Sequence, residues 1–114
     1  MATTTFSEEI KEEAFKTLDG LEQNFNKLYM ACKTDEERDA LRYNLVTARD
    51  AYWMAEAKNL KDDNEFVKGL LKDLRDTNKR IQKELLILNN AINIIKLSGE
   101  AIKLVAAITA LAAV

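Results

Sequence analysis

Apolar residues recur along the second half of the chain at spacings of three, four or seven. The series runs through Val67, Leu71, Leu74, Ile81, Leu85, Leu88, Ile92, Ile95 and Ile102. This heptad spacing is typical of a long helix with one buried stripe. Beyond residue 86 the stripe widens, and residues 104–114 carry no charged side chain. The sequence therefore predicts a long C-terminal helix whose end is apolar on nearly every side.

The residues that interrupt helices are scarce in this chain. Proline is absent, and glycine occurs only at positions 20, 69 and 99. Strands and tight turns depend on these residues, so their scarcity favours an all-α fold. A chain of 114 residues is also short enough to form one domain. We therefore expect residues 1–114 to form a single helical domain.

Two capping patterns divide the first half of the chain. Thr5 and Glu8 have capping-box spacing, and an amphipathic stripe follows them over about residues 6–32. Thr34 and Glu37 repeat the pattern before a second stripe over about residues 35–60. A short corner between two helices of similar length predicts an antiparallel hairpin.

The start of the third helix is less sharply marked. Residues 61–65 are polar, but no glycine or proline enforces a break there. We expect a second hairpin, with helix 3 over about residues 63–112, and hence a three-helix coiled-coil bundle. The other interpretation is one continuous helix from Asp35 to the end.

In the three-helix bundle, the C-terminal helix outreaches its neighbours. Residues from about 91 onward would project past helices 1 and 2, and we call this segment the overhang. Exposing its five largest terminal side chains would cost about 7–15 kcal/mol, which is comparable with the total stability of a domain. The overhang must therefore be covered by another protein surface, by lipid, or by a fold-back at Ser98-Gly99. Because Gly99 falls on the heptad stripe, we expect the continuous helix.

Several function classes lack their usual residues. Histidine is absent and Cys32 is the only cysteine, so the commonest general base and zinc patterns cannot be built. We expect Cys32 to be a small buried hydrophobe, and we expect no enzyme activity, cofactor, metal site or small-molecule substrate. The net charge of −2 with interspersed signs argues against a nucleic-acid partner. The N-terminus lacks a secretory signal pattern, which predicts a cytoplasmic protein.

Three polar or aromatic residues are candidate sites within the bundle. Asn78 lies on the heptad stripe, where a polar layer can fix register and oligomeric state at some cost in stability. On this hypothesis, replacing Asn78 with isoleucine should raise the melting temperature. Tyr52 and Trp53 point in different directions from one helix, so one of them can pack inside while the other forms a secondary partner patch.

The sequence thus predicts a non-enzymatic coiled-coil assembly protein that oligomerises or binds a helical partner through its apolar C-terminal helix. The predicted interaction surface comprises Ile92, Ile95, Leu97, Gly99, Ile102, Leu104, Val105, Ile108, Leu111 and Val114. The alternative is a membrane-active protein that inserts residues 92–114. The layout resembles that of α-helical pore-forming proteins, in which long coiled helices carry an apolar membrane segment, and this resemblance implies oligomeric insertion into lipid.

Overall fold

The computed structural model describes residues 5–88 and 90–114, which form an all-α helical bundle. Its four helices are α1 (Phe6–Ala31), α2 (Asp35–Ala57), α3 (Glu65–Ile87) and α4 (Ala91–Ala112). The bundle measures 42 × 25 × 23 Å. The predicted all-α fold is confirmed, but the C-terminal half forms two helices instead of one.

Side-chain caps start the first three helices. The Thr5 hydroxyl accepts a hydrogen bond from the Glu8 amide, and the Thr34 hydroxyl accepts one from the Glu37 amide. Asn64 caps α3 in the same way, through the Val67 amide. Each cap satisfies an amide that has no partner inside its own helix. The polar segment between α2 and α3 is therefore a connection, and the two helices are separate.

The expected continuous helix over about residues 63–112 is wrong, because α3 ends at Ile87 and a separate helix, α4, begins at Ala91 and packs back against α3. Leu88 adopts a left-handed conformation with φ 49° and ψ 43°, and the Asn90 side chain caps α4 by accepting from the Asn93 amide at 3.2 Å. A left-handed leucine costs about 1–2 kcal/mol. Burial of the apolar side chains of α4 against the other helices offsets that cost. Ser98 and Gly99, the alternative place for a fold-back, lie inside α4.

The Asn90 cap gives a direct test of the corner. Replacing Asn90 with alanine should lower the free energy of unfolding by about 1 kcal/mol, because the Asn93 amide loses its side-chain acceptor. Replacing it with aspartate should preserve stability, because a carboxylate also accepts this bond. Chemical denaturation of the three proteins measures both effects. Equal stabilities for the alanine and aspartate variants would contradict the cap.

The four helices form two antiparallel hairpins, α1–α2 and α3–α4, that pack side by side. α1 runs parallel to α3, since contacts progress in the same direction along both helices, and α2 runs parallel to α4 for the same reason. α1 also touches α4 across the centre. Within the described ranges, α2 and α3 lie on opposite sides of the bundle. The connection over residues 58–64 must therefore cross one end of the bundle. There Leu60 pairs with Ala113, and the Val114 amide donates to the Asn59 carbonyl at 3.0 Å.

α4 is the helix that joins the two halves of the core. One buried cluster brings Ile10, Leu71 and Leu74 together with Val105 and Ile108. A second cluster, towards the other end, combines residues of α1 and α2 with buried residues from the first half of α4, including Leu28, Leu41, Ile94 and Ile95. The most apolar helix of the chain is thus packed against all three others, and this removes the overhang.

Candidate interaction surface

The structure divides the ten residues of the predicted interaction surface between the core and the exterior. The side chains inside the core are Ile95, Leu97, Ile102, Val105 and Ile108. Gly99 and Leu104 are half-buried, and the exposed members are Ile92, Leu111 and Val114. Half of the set is therefore covered by the chain's own helices. The premise that these residues project beyond the bundle is wrong, because α4 folds back into it.

An apolar groove runs between the parallel helices α2 and α4. It has a volume of about 480 Å³. Its α2 side is lined by Thr47, Asp50, Ala51, Met54 and Lys58, and its α4 side by Ile102, Ala106, Thr109, Ala110 and Ala113. Six of these ten side chains are apolar. We call this feature the α2–α4 groove.

The groove exists because the outer edge of α4 carries small side chains. Ala106, Ala110 and Ala113 recur at spacings of four and three, so they lie on one edge of the helix. A methyl group cannot fill the space between two neighbouring helices, so the groove stays open along this edge. Met54 stands beside it with 51% of its surface exposed. Methionine is flexible and polarisable, which lets it adapt to the shape of an apolar partner.

One buried hydroxyl lies among the residues of the groove. Thr109 is buried, and its Oγ1 has no hydrogen-bond partner in the described part of the chain. Threonine within a helix commonly donates to the carbonyl four residues earlier, and an unpaired buried hydroxyl costs about 1–3 kcal/mol. The buried hydroxyl at the groove therefore lacks the kind of hydrogen bond found elsewhere on α4, where the buried Ser98 hydroxyl donates to the Ile94 carbonyl at 2.7 Å.

Charged residues of opposite sign stand along the α2 side of the groove. Asp50 and Lys58 are exposed and line it on either side of Met54. Neither forms an ion pair within residues 5–88 and 90–114, whereas the adjacent Arg49 lies 3.8 Å from Glu22 on α1. The groove thus offers one acidic and one basic position separated by an apolar side chain.

The aromatic candidates lie on another face of α2. Tyr52 packs against Phe15 of α1, with ring centroids 5.7 Å apart, and against Trp53 at 5.5 Å. Burial raises the pKa of the Tyr52 phenol, and the nearby Glu56 carboxylate raises it further. Trp53 is largely exposed. Tyr52 therefore serves the contact between α1 and α2, and Trp53 alone is available on the surface.

Asn78 lies in a buried polar layer between α1 and α3. Its Nδ2 donates to the Glu13 carboxylate and to the Glu13 carbonyl, both at 3.0 Å. Its Oδ1 accepts from the Thr17 hydroxyl at 2.7 Å. Lys16 donates to the other oxygen of the Glu13 carboxylate at 2.8 Å. All of these partners belong to α1, because α3 packs beside α1 and opposite α2.

Sequence reasoning missed Glu13 as a member of this layer. Glu13 lies near the start of α1, where acidic residues ordinarily favour the helix dipole from an exposed position, yet it is buried. The signal was present in the spacing, because Ile10, Glu13 and Thr17 are three and four residues apart and share one helix face. A carboxylate on an apolar helix face predicts a polar partner on the helix that packs against it.

Cys32 is buried beyond the end of α1, and its thiol donates to the Leu28 carbonyl at 3.2 Å. Burial raises the pKa of this thiol, and the Glu37 carboxylate adds to the rise while Arg38 opposes it. The reactive species is the thiolate, so we expect slow labelling by a thiol reagent in the folded protein and fast labelling in denaturant. Similar labelling rates in both states would contradict this burial.

Comparisons with protein-family models, curated proteins and solved structures found no match for this chain. Within the described ranges, no group of three or more potential metal ligands is positioned to hold an ion. None of the helices in those ranges combines the length and apolar character needed to cross a membrane. The α2–α4 groove has a more apolar lining than the two clefts beside Phe15.

Proposed function

We propose that this protein is a non-enzymatic assembly protein that binds another helical polypeptide surface through the α2–α4 groove. The observation that supports this role is the groove itself, an apolar channel flanked by Asp50 and Lys58. Apolar surface patches with polar rims are typical of protein interaction sites. The proposal retains the predicted class of function and moves its site from the end of a projecting helix to the side of the bundle.

The shape of the groove favours a helix as its occupant. It lies between two parallel helices, so its long direction follows their axes, as in complexes where a helix lies in a groove. Ala106 and Ala110 are exposed along it, and small side chains let another helix approach closely. An apolar residue of the incoming helix gains about 25 cal/mol for each Å² of apolar surface that it buries.

The membrane-active alternative requires a larger structural change in the bundle. Insertion of residues 92–114 would require α4 to leave the core that it shares with the other three helices. The inserted segment would also carry Lys96 and Lys103 into lipid, where charged side chains are expensive. A polypeptide partner uses the surface that the folded bundle already presents, so we favour that partner.

Site-specific photocrosslinking in the producing cell tests the proposal. A photoreactive residue at Ala110 should yield a defined adduct with a polypeptide, identified by mass spectrometry. The same residue at Gly69 serves as the control, because Gly69 is exposed on α3 and has open space around it. Adding Ala106→Glu to the Ala110 crosslinker should abolish the adduct, since it places a charge in the groove.

The result can contradict the proposal in two ways. An adduct that survives Ala106→Glu, or that forms equally at Gly69, would show that the groove does not determine binding. An Ala110 crosslinker that captures lipid and no polypeptide would favour membrane action. Circular dichroism of each purified variant should match the wild type, because all three positions are exposed.

A further inference from the structure

We infer that the occupant of the α2–α4 groove is a second copy of this chain, related to the first by a two-fold axis through Met54. This inference rests on the proposed function and specifies its partner. It follows from the order of three side chains that line the groove from α2: Asp50, Met54 and Lys58. An acidic, an apolar and a basic residue stand at equal sequence intervals along this edge.

A two-fold axis makes this order self-complementary. In an isologous contact, each residue meets its partner from the opposite end of the same patch. With the axis at Met54, Asp50 faces the partner's Lys58, and Lys58 faces the partner's Asp50. Both charges are exposed and form no ion pair within the described ranges, so both are available for this contact.

In other orientations of a second copy, these opposite charges do not face each other. A parallel pairing of the two α2 helices would set Asp50 against Asp50 and Lys58 against Lys58, which is repulsive. Exposed ion pairs are individually weak, so the apolar contacts must supply most of the affinity. The charges then select the orientation, which is their usual contribution at interfaces.

The apolar contacts fit the same arrangement. Residues four apart form a ridge on a helix surface, and such a ridge packs into a groove on a facing surface. Asp50 and Met54 belong to such a ridge, and Lys58 continues it as the C-cap residue of α2. In the two-fold contact, each Met54 lies at the partner's groove, where Ala106 and Ala110 leave room for it.

Exchanging the charges tests the geometry. Asp50→Lys places two lysines in each contact, and Lys58→Asp places two aspartates there, so each variant alone should be monomeric where the wild type is dimeric. Mixing the two variants should restore an equimolar dimer, because each contact again joins opposite charges. Sedimentation velocity measures the association, and native mass spectrometry identifies the mixed species. Asp76→Lys is the control, since Asp76 is exposed on α3, away from α2.

A cysteine on the axis gives a second measurement, which reports directly whether the two Met54 positions meet. Met54→Cys should form a disulfide-linked dimer under mild oxidation, because the axis brings the two thiols together while Cys32 is buried. Adding Asp50→Lys should suppress that disulfide. Melting curves that match the wild type show that each variant is folded, as expected for exposed positions.

Three results would overturn the inference: a purified wild-type chain that stays monomeric up to millimolar concentration, single charge variants that dimerise like the wild type, or a mixture that fails to recover the dimer.

Failure of the second-copy inference can be distinguished from failure of the proposed function. If the Ala110 crosslinker captures a different polypeptide and the purified chain is monomeric, the second copy is excluded and the assembly role stands. If Ala110 yields no polypeptide adduct, both are contradicted.

Discussion

Replacing Ile108 with alanine should lower the free energy of unfolding by about 2–5 kcal/mol, the usual range for removing a large aliphatic side chain from a packed core. Ile108 is 0% exposed and belongs to the cluster that joins α1, α3 and α4. Truncation removes its transfer free energy and leaves a cavity that the neighbouring helices fill only in part. Urea denaturation followed by circular dichroism measures the loss.

Leu111 supplies the matched control for this prediction. It lies on the same helix, one turn from Ile108, but it is 45% exposed. Its replacement by alanine should therefore cost less than half as much as the Ile108 substitution. The comparison also separates the bundle from the projecting helix expected from sequence, in which both side chains would be exposed. Similar small effects at both positions would favour the projecting helix and contradict the fold-back.

Replacing Asn78 with isoleucine should lower the free energy of unfolding by about 2–4 kcal/mol, because it leaves the buried Glu13 carboxylate without one of its donors. The Thr17 hydroxyl loses its acceptor in the same change. This sign is opposite to the sequence-based expectation, which assumed that an apolar residue would simply fill the layer. The structure changes the expectation because Asn78 is 3% exposed and bonded to a charged group. Thermal and urea unfolding measure the effect.

Two further variants identify the cause of that loss. Gln82→Ile makes a similar exchange one turn along α3, but Gln82 is exposed, so its effect should stay within about 0.5 kcal/mol. Adding Glu13→Leu to Asn78→Ile should recover part of the stability, because the double variant no longer buries the carboxylate. A higher melting temperature for Asn78→Ile alone would show that the polar layer contributes no net stability.

The parts of the fold that depend on local chemistry were readable from the sequence. Thr5 and Thr34 cap α1 and α2 where the capping-box spacing predicts. The apolar spacing also identified the helical class and the stripes that become buried. These signals succeed because a cap or a stripe involves residues within a few turns of one another.

The corner between α3 and α4 could not be read in the same way. Leu88 adopts a left-handed conformation without being glycine or asparagine, and the heptad spacing passes straight through it. Besides the Asn90 cap, the burial of α4 against α1, α2 and α3 favours the reversal, and that burial joins residues far apart in the chain. The sequence indicated that the apolar helix needs a cover and offered Ser98-Gly99 as one place for a fold-back, but it did not indicate a reversal after Ile87.

The candidate site could not be predicted from the sequence for the same physical reason. The apolar character of α4 is local information, but the α2–α4 groove depends on which two helices become parallel neighbours. In the sequence Met54 simply follows Tyr52 and Trp53, and Asp50 has no distinguishing neighbour. The pairing of α2 with α4 brings Met54 and Asp50 beside Ala106 and Ala110.

The connection over residues 58–64 divides the chain into two consecutive halves, each of which contains one complete hairpin. No helix crosses this boundary, and Asp62 and Asp63 are exposed within it. The contacts between the halves are therefore those of an interface between two pieces, and the connecting peptide mainly sets their effective concentration. In energetic terms the monomer is itself a complex of two hairpins, so cleavage between Asp62 and Asp63 would turn its folding into a concentration-dependent reassembly.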